Sequence, residues 1–174
     1  SMNDVETDLR IARIAKEEGA DEVLVGLVYS ISPVHTDSYY AARAHELAAS
    51  ADVDLLNLKD PGGLLTPERA RSLVPALRSA APSLPLEVHS HCTATLAPLV
   101  YLESARLGAS FVCTAARPLA NGTSQPSAEQ TLANLRAEGF SVDLDEDALA
   151  QMSGYFTALA ARIGRPVGAP AEYD

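Results

Sequence analysis

The chain has 174 residues, enough for one domain with a sizeable buried core, and 47% of them are hydrophobic and 21% charged. Acidic residues outnumber basic ones 23 to 13, so the formal net charge is −10. This balance argues against a nucleic-acid partner and against an anionic membrane surface, both of which need a basic face. Apolar runs are too short to predict a membrane span, no basic-then-apolar leader is visible, and 2 cysteines are too few for a disulfide scaffold. We therefore expect a cytoplasmic protein.

Helical and strand patterns alternate along the chain with a repeat of about thirty residues. Apolar runs predict four strands, at 22–30, 53–58, 86–90 and 110–115. Helical periodicity with capping residues predicts six helices, at 4–18, 36–50, from 66 onward, 95–107, 127–137 and 146–163. The tail 164–174 holds two prolines and two glycines and is expected to be a linker.

The third helix carries a start signal and an internal proline. Thr66 can cap its first turn, and Pro67 suits its first position. Pro75 lies inside the apolar stripe of this helix. Because proline removes a backbone hydrogen bond, Pro75 should kink the helix or end it early.

The order of elements is one helix, four strand–helix units and a final helix, which places the chain in the α/β class. Such alternation implies a parallel sheet with right-handed crossovers. Two architectures fit: an open doubly wound sheet, or part of a (β/α)₈ TIM barrel, which usually needs about 250 residues. Periodicity does not choose between them.

Polar side chains follow the predicted strands, at the carboxyl ends where parallel α/β folds bind ligands. They are Tyr29 and Ser30, Lys59 and Asp60, His89 and His91, and Arg117. The turns that lead from helices back into strands carry no comparable set. We therefore expect a functional site at the carboxyl edge of the sheet.

His89 and His91 are the sharpest local signal. Residues two apart on a strand point to the same face, so the two imidazoles form a ready pair of metal ligands. The alternative is one solvated histidine and one hydrogen-bonded core histidine. Lys59 lies at a strand end, where its amine can react with CO₂ to form a carbamate with oxygen ligands for a metal. The alternative is a lysine whose stem covers the rim of the sheet.

The other candidate residues carry weaker signals. Cys92 has the wrong strand parity to join the histidines and is expected to be a buried thiol, and Cys113 is expected in the core. His45 is expected on a helix surface, and His35 in a loop without a role at the site. The segment 120–127 predicts a turn and a helix cap, or else free N–H groups that meet an anionic ligand at the helix start.

Four stretches form a specific set when taken in order: VYSISPVHTDSYY at 28–40, LNLKDPGGLLTPERA at 56–70, LEVHSHCTATLAPLVYLESARLGA at 86–109 and ANGTSQPSAE at 120–129. Together they resemble the carboxyltransferase domain of biotin-dependent enzymes. These enzymes are the pyruvate carboxylases, the oxaloacetate decarboxylase alpha subunits and the pyruvate-side subunit of transcarboxylase. The resemblance covers essentially the whole chain.

The resemblance implies a (β/α)₈ TIM barrel with a divalent metal (Zn²⁺, Mn²⁺ or Co²⁺) at its carboxyl-end mouth. It assigns the metal to His89, His91 and Lys59, the lysine as a carbamate, together with an aspartate of the first barrel strand. Lys59 is thereby also a catalytic residue. The implied reaction moves CO₂ between carboxybiotin, presented by a biotin carrier domain, and pyruvate or another 2-oxo acid. The metal polarises the keto acid so that an enolate can form.

The resemblance also implies that the chain covers only part of the barrel. The family's first-strand motif, similar to DTTxRDxHQ, is absent, and the aspartate ligand is absent with it. Residues 3–163 are therefore expected to form about four βα units, strands five to eight, with an added C-terminal helix. The linker 164–174 is expected to lead toward a further C-terminal domain. We expect the isolated chain to be inactive unless the N-terminal half of the barrel complements it.

Two other functions stay open. A lyase or an acyl-transferring synthase of the same metal-dependent barrel superfamily also uses paired histidines and a first-strand aspartate. The stretches KDPGGLLTP and NGTSQPSAE favour the biotin-dependent branch, and a lyase should bring a reactive cysteine in a glycine-rich loop. The last alternative is a non-catalytic half-barrel that self-associates through its two open sheet edges.

Overall fold

The structure is a computed structural model that describes residues 3–165, so the predicted linker 164–174 lies almost entirely outside the described residues. The α-helices are α1 (Val5–Glu17), α2 (Asp37–Ala48), α3 (Pro67–Ala80), α4 (Ala97–Arg106), α5 (Ala128–Ala137) and α6 (Glu146–Arg162). The strands are β1 (Leu24–Val28), β2 (Leu55–Asp60), β3 (Leu86–Ser90) and β4 (Phe111–Val112), and a short 3₁₀ helix (Arg117–Leu119) follows β4. Within the described range, no helix is long and apolar enough to cross a membrane.

Side-chain caps fix the start of most helices. The residues that accept a backbone N–H of the first turn are Asp4, Thr36, Thr66, Ser127 and Asp145. The predicted start of α3 is confirmed, with Thr66 accepting from the Arg69 N–H and Pro67 in the first turn. The predicted early end is wrong, because α3 continues through Pro75 to Ala80. Pro75 is exposed, so the carbonyl that it leaves unpaired can bond to water.

The strands form one parallel sheet in the order β1-β2-β3-β4, without the reversal of order that doubly wound sheets contain. β2 reaches Asp60, so Lys59 lies within the strand rather than after it. β4 is shorter than the predicted 110–115, because Ala115 bonds to the segment that precedes α5 instead of extending the sheet. The four predicted strand–helix units are otherwise confirmed.

Alternation along the strands gives the sheet a covered face and an open face. The covered face packs against α2, α3 and α4, and its buried strand residues are Val25, Leu27, Leu56, Leu58, Leu86 and Val88. The open face is defined by Leu24, Gly26, Val28, Leu55, Asn57, Lys59, Glu87, His89 and Phe111. Leu24 is 46% exposed and Phe111 is 53% exposed. Lys59 and His89 therefore lie on the side of the sheet that faces away from its helices.

Candidate functional site

Three predicted site residues meet at the carboxyl edge of the open face. Lys59 and His89 are cross-strand neighbours, because the register of β2 and β3 pairs them. His91 follows His89 by two residues, and the centroids of the two imidazole rings are 5.1 Å apart. Both histidines are half-buried, whereas Lys59 is exposed. The structure thus brings together the residues that the sequence analysis selected as metal ligands.

A side chain that the sequence analysis missed lies between the two histidines. Gln125 Nε2 is 3.2 Å from His89 Nε2 and 3.0 Å from His91 Nε2. An amide nitrogen only donates, so both imidazole Nε2 atoms accept and carry no proton in this arrangement. The two lone pairs therefore converge on one point, as a pair of metal ligands requires.

The backbone carbonyl of Thr123 orients the second of these rings. Thr123 O is 2.6 Å from His91 Nδ1. Because a carbonyl oxygen only accepts, Nδ1 must carry the proton, which leaves the Nε2 lone pair of His91 available. Hydrogen bonds of this kind set the tautomer and the ring orientation of metal-binding histidines.

Burial keeps His89 in the form that can bind a metal. Loss of solvent is the largest cause that lowers the pKa of His89 below its usual value, and the electrostatic influence of the neighbouring His91 and Lys59 lowers it further. The neutral imidazole is the ligating form. His89 is therefore available as a ligand at neutral pH.

The buried carboxylate of Asp60 anchors the loop that follows β2. It accepts the Leu64 N–H and the Leu65 N–H, both at 2.9 Å, and the Ser90 hydroxyl at 2.8 Å. The carbonyl oxygen of Asp60 also accepts the His91 N–H at 3.1 Å. Asp60 therefore points to the covered face and ties the ends of β2 and β3 together, rather than facing the histidines.

Gly63 allows this loop to lie against the segment that follows β3. Its φ is +63°, and a Cβ at this position would lie 2.5 Å from His91 O and closer still to Thr93 Oγ1. The Thr93 hydroxyl donates to the carbonyl of Gly62. The left-handed backbone favours glycine, and the close approach leaves no room for a Cβ.

The turn-rich segment after β4 carries Gln125 to the histidines. Asn121 adopts a φ of 68°, and its N–H donates to the Gln125 carbonyl at 2.8 Å. The Cys92 N–H donates to the Ser124 carbonyl at 2.8 Å, which attaches the segment to the histidine loop. The predicted turn and the cap of α5 are confirmed. The density of turn residues was the only sequence signal for the contact with the histidines.

The two cysteines occupy different environments. Cys92 is buried, as expected, with its Sγ 3.9 Å from Asn121 Oδ1, and burial raises the pKa of its thiol to about 11. Cys113 is half-buried rather than in the core, so that expectation was wrong. It lies beyond the short β4, where burial and a hydrogen bond to Glu87 raise the pKa of its thiol to about 12.

The remaining polar candidates lie away from the histidine pair. Arg117 is exposed, with its Nε 3.8 Å from Glu129 Oε1, and it lines a cavity with residues of α5 and α6. Tyr29 is buried on the covered face of the sheet. His35 contacts a neighbouring loop hydroxyl through Nδ1, and His45 is exposed on α2, as expected.

The described donor set fits a divalent metal ion in part. Within residues 3–165, no group of three or more His, Cys, Asp and Glu side chains could hold a metal ion. His89 and His91 supply two neutral nitrogen ligands with converging lone pairs, a donor type that suits zinc, manganese and cobalt. Lys59 is the neighbouring residue whose chemistry, as a carbamate, would add oxygen.

Comparisons with known proteins show which proteins the chain is similar to. No protein-family model matches it. It is 40% identical over 156 residues to a pyruvate carboxylase subunit of Methanocaldococcus jannaschii, and 34% identical over 156 residues to the corresponding subunit of Methanothermobacter thermautotrophicus. The carboxyl transferase domain of Rhizobium etli pyruvate carboxylase with pyruvate and biocytin matches 98% of the chain with a TM-score of 0.85 and 25% identity. The chain is homologous to part of the carboxyl transferase domain of pyruvate carboxylases.

This homology confirms the family resemblance seen in the sequence. The matched segment is only part of the length of each relative. The match spans 90% of this chain but 27% of each of the two archaeal subunits. It likewise covers 29% of the Rhizobium etli chain. The four parallel strands and their helices thus correspond to a segment of the pyruvate carboxylase domain.

Proposed function

We propose that this chain provides the metal-binding edge of a biotin-dependent carboxyltransferase that moves CO₂ between carboxybiotin and pyruvate or another 2-oxo acid. One observation carries the proposal: the lone pairs of His89 and His91 converge beside Lys59. The homology of the chain to the pyruvate carboxylase domain supports the assignment of this chemistry.

His89 and His91 would hold the divalent ion through their Nε2 atoms, and Lys59, as a carbamate, would add an oxygen ligand. When bound, the ion supplies a Lewis acid that polarises the carbonyl group of a keto acid. Lys59 is exposed, so CO₂ can reach its neutral amine; an N–C bond would form and one N–H proton would pass to solvent. Asp60 holds the ends of β2 and β3 together, and the Thr123 carbonyl orients the His91 ring that would bind the ion.

Two observations support the proposed substrates: the ligands bound in structures of a relative, and the net charge of this chain. The Rhizobium etli domain has been solved with pyruvate and biocytin, and with oxamate and biotin. We assign a small 2-oxo acid and a biotin carrier domain to this protein as partners. In a chain with a formal net charge of −10, a bound cation beside Lys59 is what would attract an anionic keto acid.

The four βα units are proposed to be strands five to eight of a (β/α)₈ TIM barrel, followed by the added helix α6. The uninterrupted strand order and the helices packed on one face support this architecture. Leu24 and Phe111 on the open face would then be interior residues of the closed barrel. The strands that cover them, and the first-strand aspartate, would come from the N-terminal half of the barrel, outside this sequence. Without that half we expect an inactive chain that self-associates.

The lyase alternative lacks a supporting observation among the described residues. A reactive cysteine needs a lowered thiol pKa. Cys92 and Cys113 instead have thiol pKa values raised to about 11 and about 12. Both thiols are therefore protonated at neutral pH, which favours the carboxyltransferase.

Metal analysis of the purified chain after dialysis against Zn²⁺ or Mn²⁺ tests the proposal. His89→Ala should lower the bound metal at least tenfold, whereas His45→Ala, on the exposed face of α2, should leave it unchanged. Lys59→Arg keeps a positive charge but forms no carbamate, and it should also weaken binding. Equal metal content in the wild type and in His89→Ala would refute the site.

A further inference from the structure

A tyrosine of α4 holds the backbone that joins the two histidines. The Tyr101 hydroxyl accepts the Ser90 N–H at 3.0 Å and donates to the Ser90 carbonyl at 3.1 Å. Ser90 lies between His89 and His91 and is fully buried, and Tyr101 is 1% exposed. One buried hydroxyl thus binds both backbone groups of the residue that sets the spacing of the two imidazoles.

Tyr101 takes the place of a strand partner that β4 does not supply. Near the end of β4, the Cys113 N–H donates to the Val88 carbonyl at 3.0 Å. Every second carbonyl of a strand faces the same neighbour, so the next one is that of Ser90, and the Ala115 N–H would be its donor. The Ala115 N–H donates instead to the segment that precedes α5, at 3.0 Å.

The departure of the chain from the sheet also brings the turn-rich segment to the histidines. Ala115 donates to the carbonyl of Pro126, the residue directly after Gln125. A longer β4 would satisfy Ser90, but it would withdraw Ala115 from this contact. An unpaired backbone group costs free energy when it is buried, so a short β4 requires another partner for Ser90. The Tyr101 hydroxyl is that partner.

Asp60 holds the same stretch of backbone from the side of β2. Its carbonyl accepts the His91 N–H at 3.1 Å, and its carboxylate accepts the Ser90 hydroxyl at 2.8 Å. The stretch is therefore fixed between Asp60 and Tyr101. Because the peptide bonds on both sides of Ser90 are planar, a shift of its backbone moves His89 and His91 relative to each other. Bonds from nitrogen to a metal tolerate deviations of only about 0.2 Å.

The same arrangement occurs at β1, which supplies none of the three proposed ligands. The hydroxyl of the fully buried Tyr40 accepts the Ser30 N–H at 2.9 Å and donates to the Val28 carbonyl at 3.1 Å. Tyr40 and Tyr101 therefore each make two backbone hydrogen bonds at the carboxyl end of a strand. Tyr40 serves as a matched control for Tyr101.

We infer that Tyr101 is a positioning residue for the metal site, and this role rests on the proposed function. Its hydroxyl replaces the strand partner of Ser90 and thereby fixes the spacing of the His89 and His91 imidazoles. Tyr101 acts through the backbone of Ser90 and not as a ligand. The phenol ring fills the core, so removal of the hydroxyl alone separates the two roles of the side chain.

Titration of purified Tyr101→Phe and Tyr40→Phe with Co²⁺, followed by calorimetry and by the visible absorption of the bound ion, tests this role. Tyr101→Phe should weaken Co²⁺ binding by about tenfold to a hundredfold and change the visible spectrum, as loss of a group that orients metal ligands does. It should also shift the imidazole ¹⁵N resonances of His89 and His91 in the metal-free chain. Tyr40→Phe should change none of these, although each variant loses one buried hydroxyl and both should lose stability in urea.

A measurement on the wild type keeps the test decisive if Tyr101→Phe does not fold. Metal binding that requires the bonds between Ser90 and Tyr101 must in turn strengthen them, because coupling between two equilibria is reciprocal. Saturation with Zn²⁺ should therefore slow hydrogen exchange of the Ser90 amide by about tenfold or more, whereas exchange of the Ser30 amide should stay unchanged. Exchange at Ser90 that Zn²⁺ does not alter would overturn the role of Tyr101.

The outcomes separate the role of Tyr101 from the proposed function. Binding of Co²⁺ that depends on His89 but is equally tight in Tyr101→Phe, with the same visible spectrum, would overturn the role of Tyr101 alone. Equal losses of binding in Tyr101→Phe and Tyr40→Phe would do the same, because they would show a general loosening of the fold. Absence of Co²⁺ binding by the wild type, or equal binding by His89→Ala, would overturn both.

Discussion

Replacing Gly63 by alanine tests whether the loop after β2 must lie against the histidine segment. The left-handed backbone, with φ of +63°, costs a non-glycine residue about 1–2 kcal/mol. The added Cβ would lie 2.5 Å from the carbonyl oxygen of His91, a backbone atom that cannot rotate away, and such overpacking costs about 1–3 kcal/mol. Together these terms predict a loss of about 2–5 kcal/mol in the free energy of unfolding, measured by urea denaturation.

Two other glycines serve as matched controls for the two terms. Gly139 has a φ of +87° and no atom within 4 Å of its would-be Cβ, so Gly139→Ala isolates the backbone cost. A Cβ on Gly62 would meet the flexible side chain of Leu64 at 3.0 Å, so Gly62→Ala should cost less than Gly63→Ala. Because the displaced atom belongs to His91, Gly63→Ala should also weaken metal binding. Equal losses of stability in Gly63→Ala and Gly139→Ala, with metal binding retained, would refute the reasoning.

Asp60→Asn should lower the free energy of unfolding by about 2–4 kcal/mol, because an amide replaces a buried carboxylate that accepts two N–H groups and a hydroxyl. Asp21→Asn, at an exposed position, is the control, and an equal loss of stability in the two variants would contradict the prediction. Raising the pH from 9 to 11 should destabilise the protein by up to about 1.4 kcal/mol per unit, because the Cys92 thiol has a pKa of about 11 when folded and about 8.5 when unfolded. As the pH rises, the unfolded chain loses the Cys92 thiol proton before the folded chain does, so the stability present below pH of about 8.5 is progressively lost. If the free energy of unfolding of Cys92→Ala falls equally steeply between pH 9 and 11, the prediction is wrong. If the open face of the sheet self-associates, light scattering of the wild type should give a mass above 18.3 kDa. The mass should fall in Phe111→Glu, on the open face, but not in Ile11→Glu, which changes an exposed residue of α1. A wild-type monomer at all concentrations would exclude self-association.

The sequence by itself determined the order and type of the helices and strands, and the pairing of the main site residues. The period of two along β3 places His89 and His91 on one face whatever the rest of the chain does. Polar residues at the ends of consecutive parallel strands must share one edge of the sheet, which brings Lys59 beside His89. The motif set also identified the family, and the similarity of the chain to pyruvate carboxylases confirms it.

Only the tertiary structure decided which loop groups complete the site. Gln125 reaches His89 across 36 positions of sequence, and His91 across 34, and no local periodicity specifies contacts of that range. The orientation of Asp60 toward the covered face likewise depends on where the backbone of the next loop lies. β4 is short because Ala115 forms its backbone hydrogen bonds with Pro126 and Ala128 instead of with the sheet. Strand positions follow from a regular backbone repeat, whereas loop positions follow from hydrogen bonds that exist only after the strands have assembled.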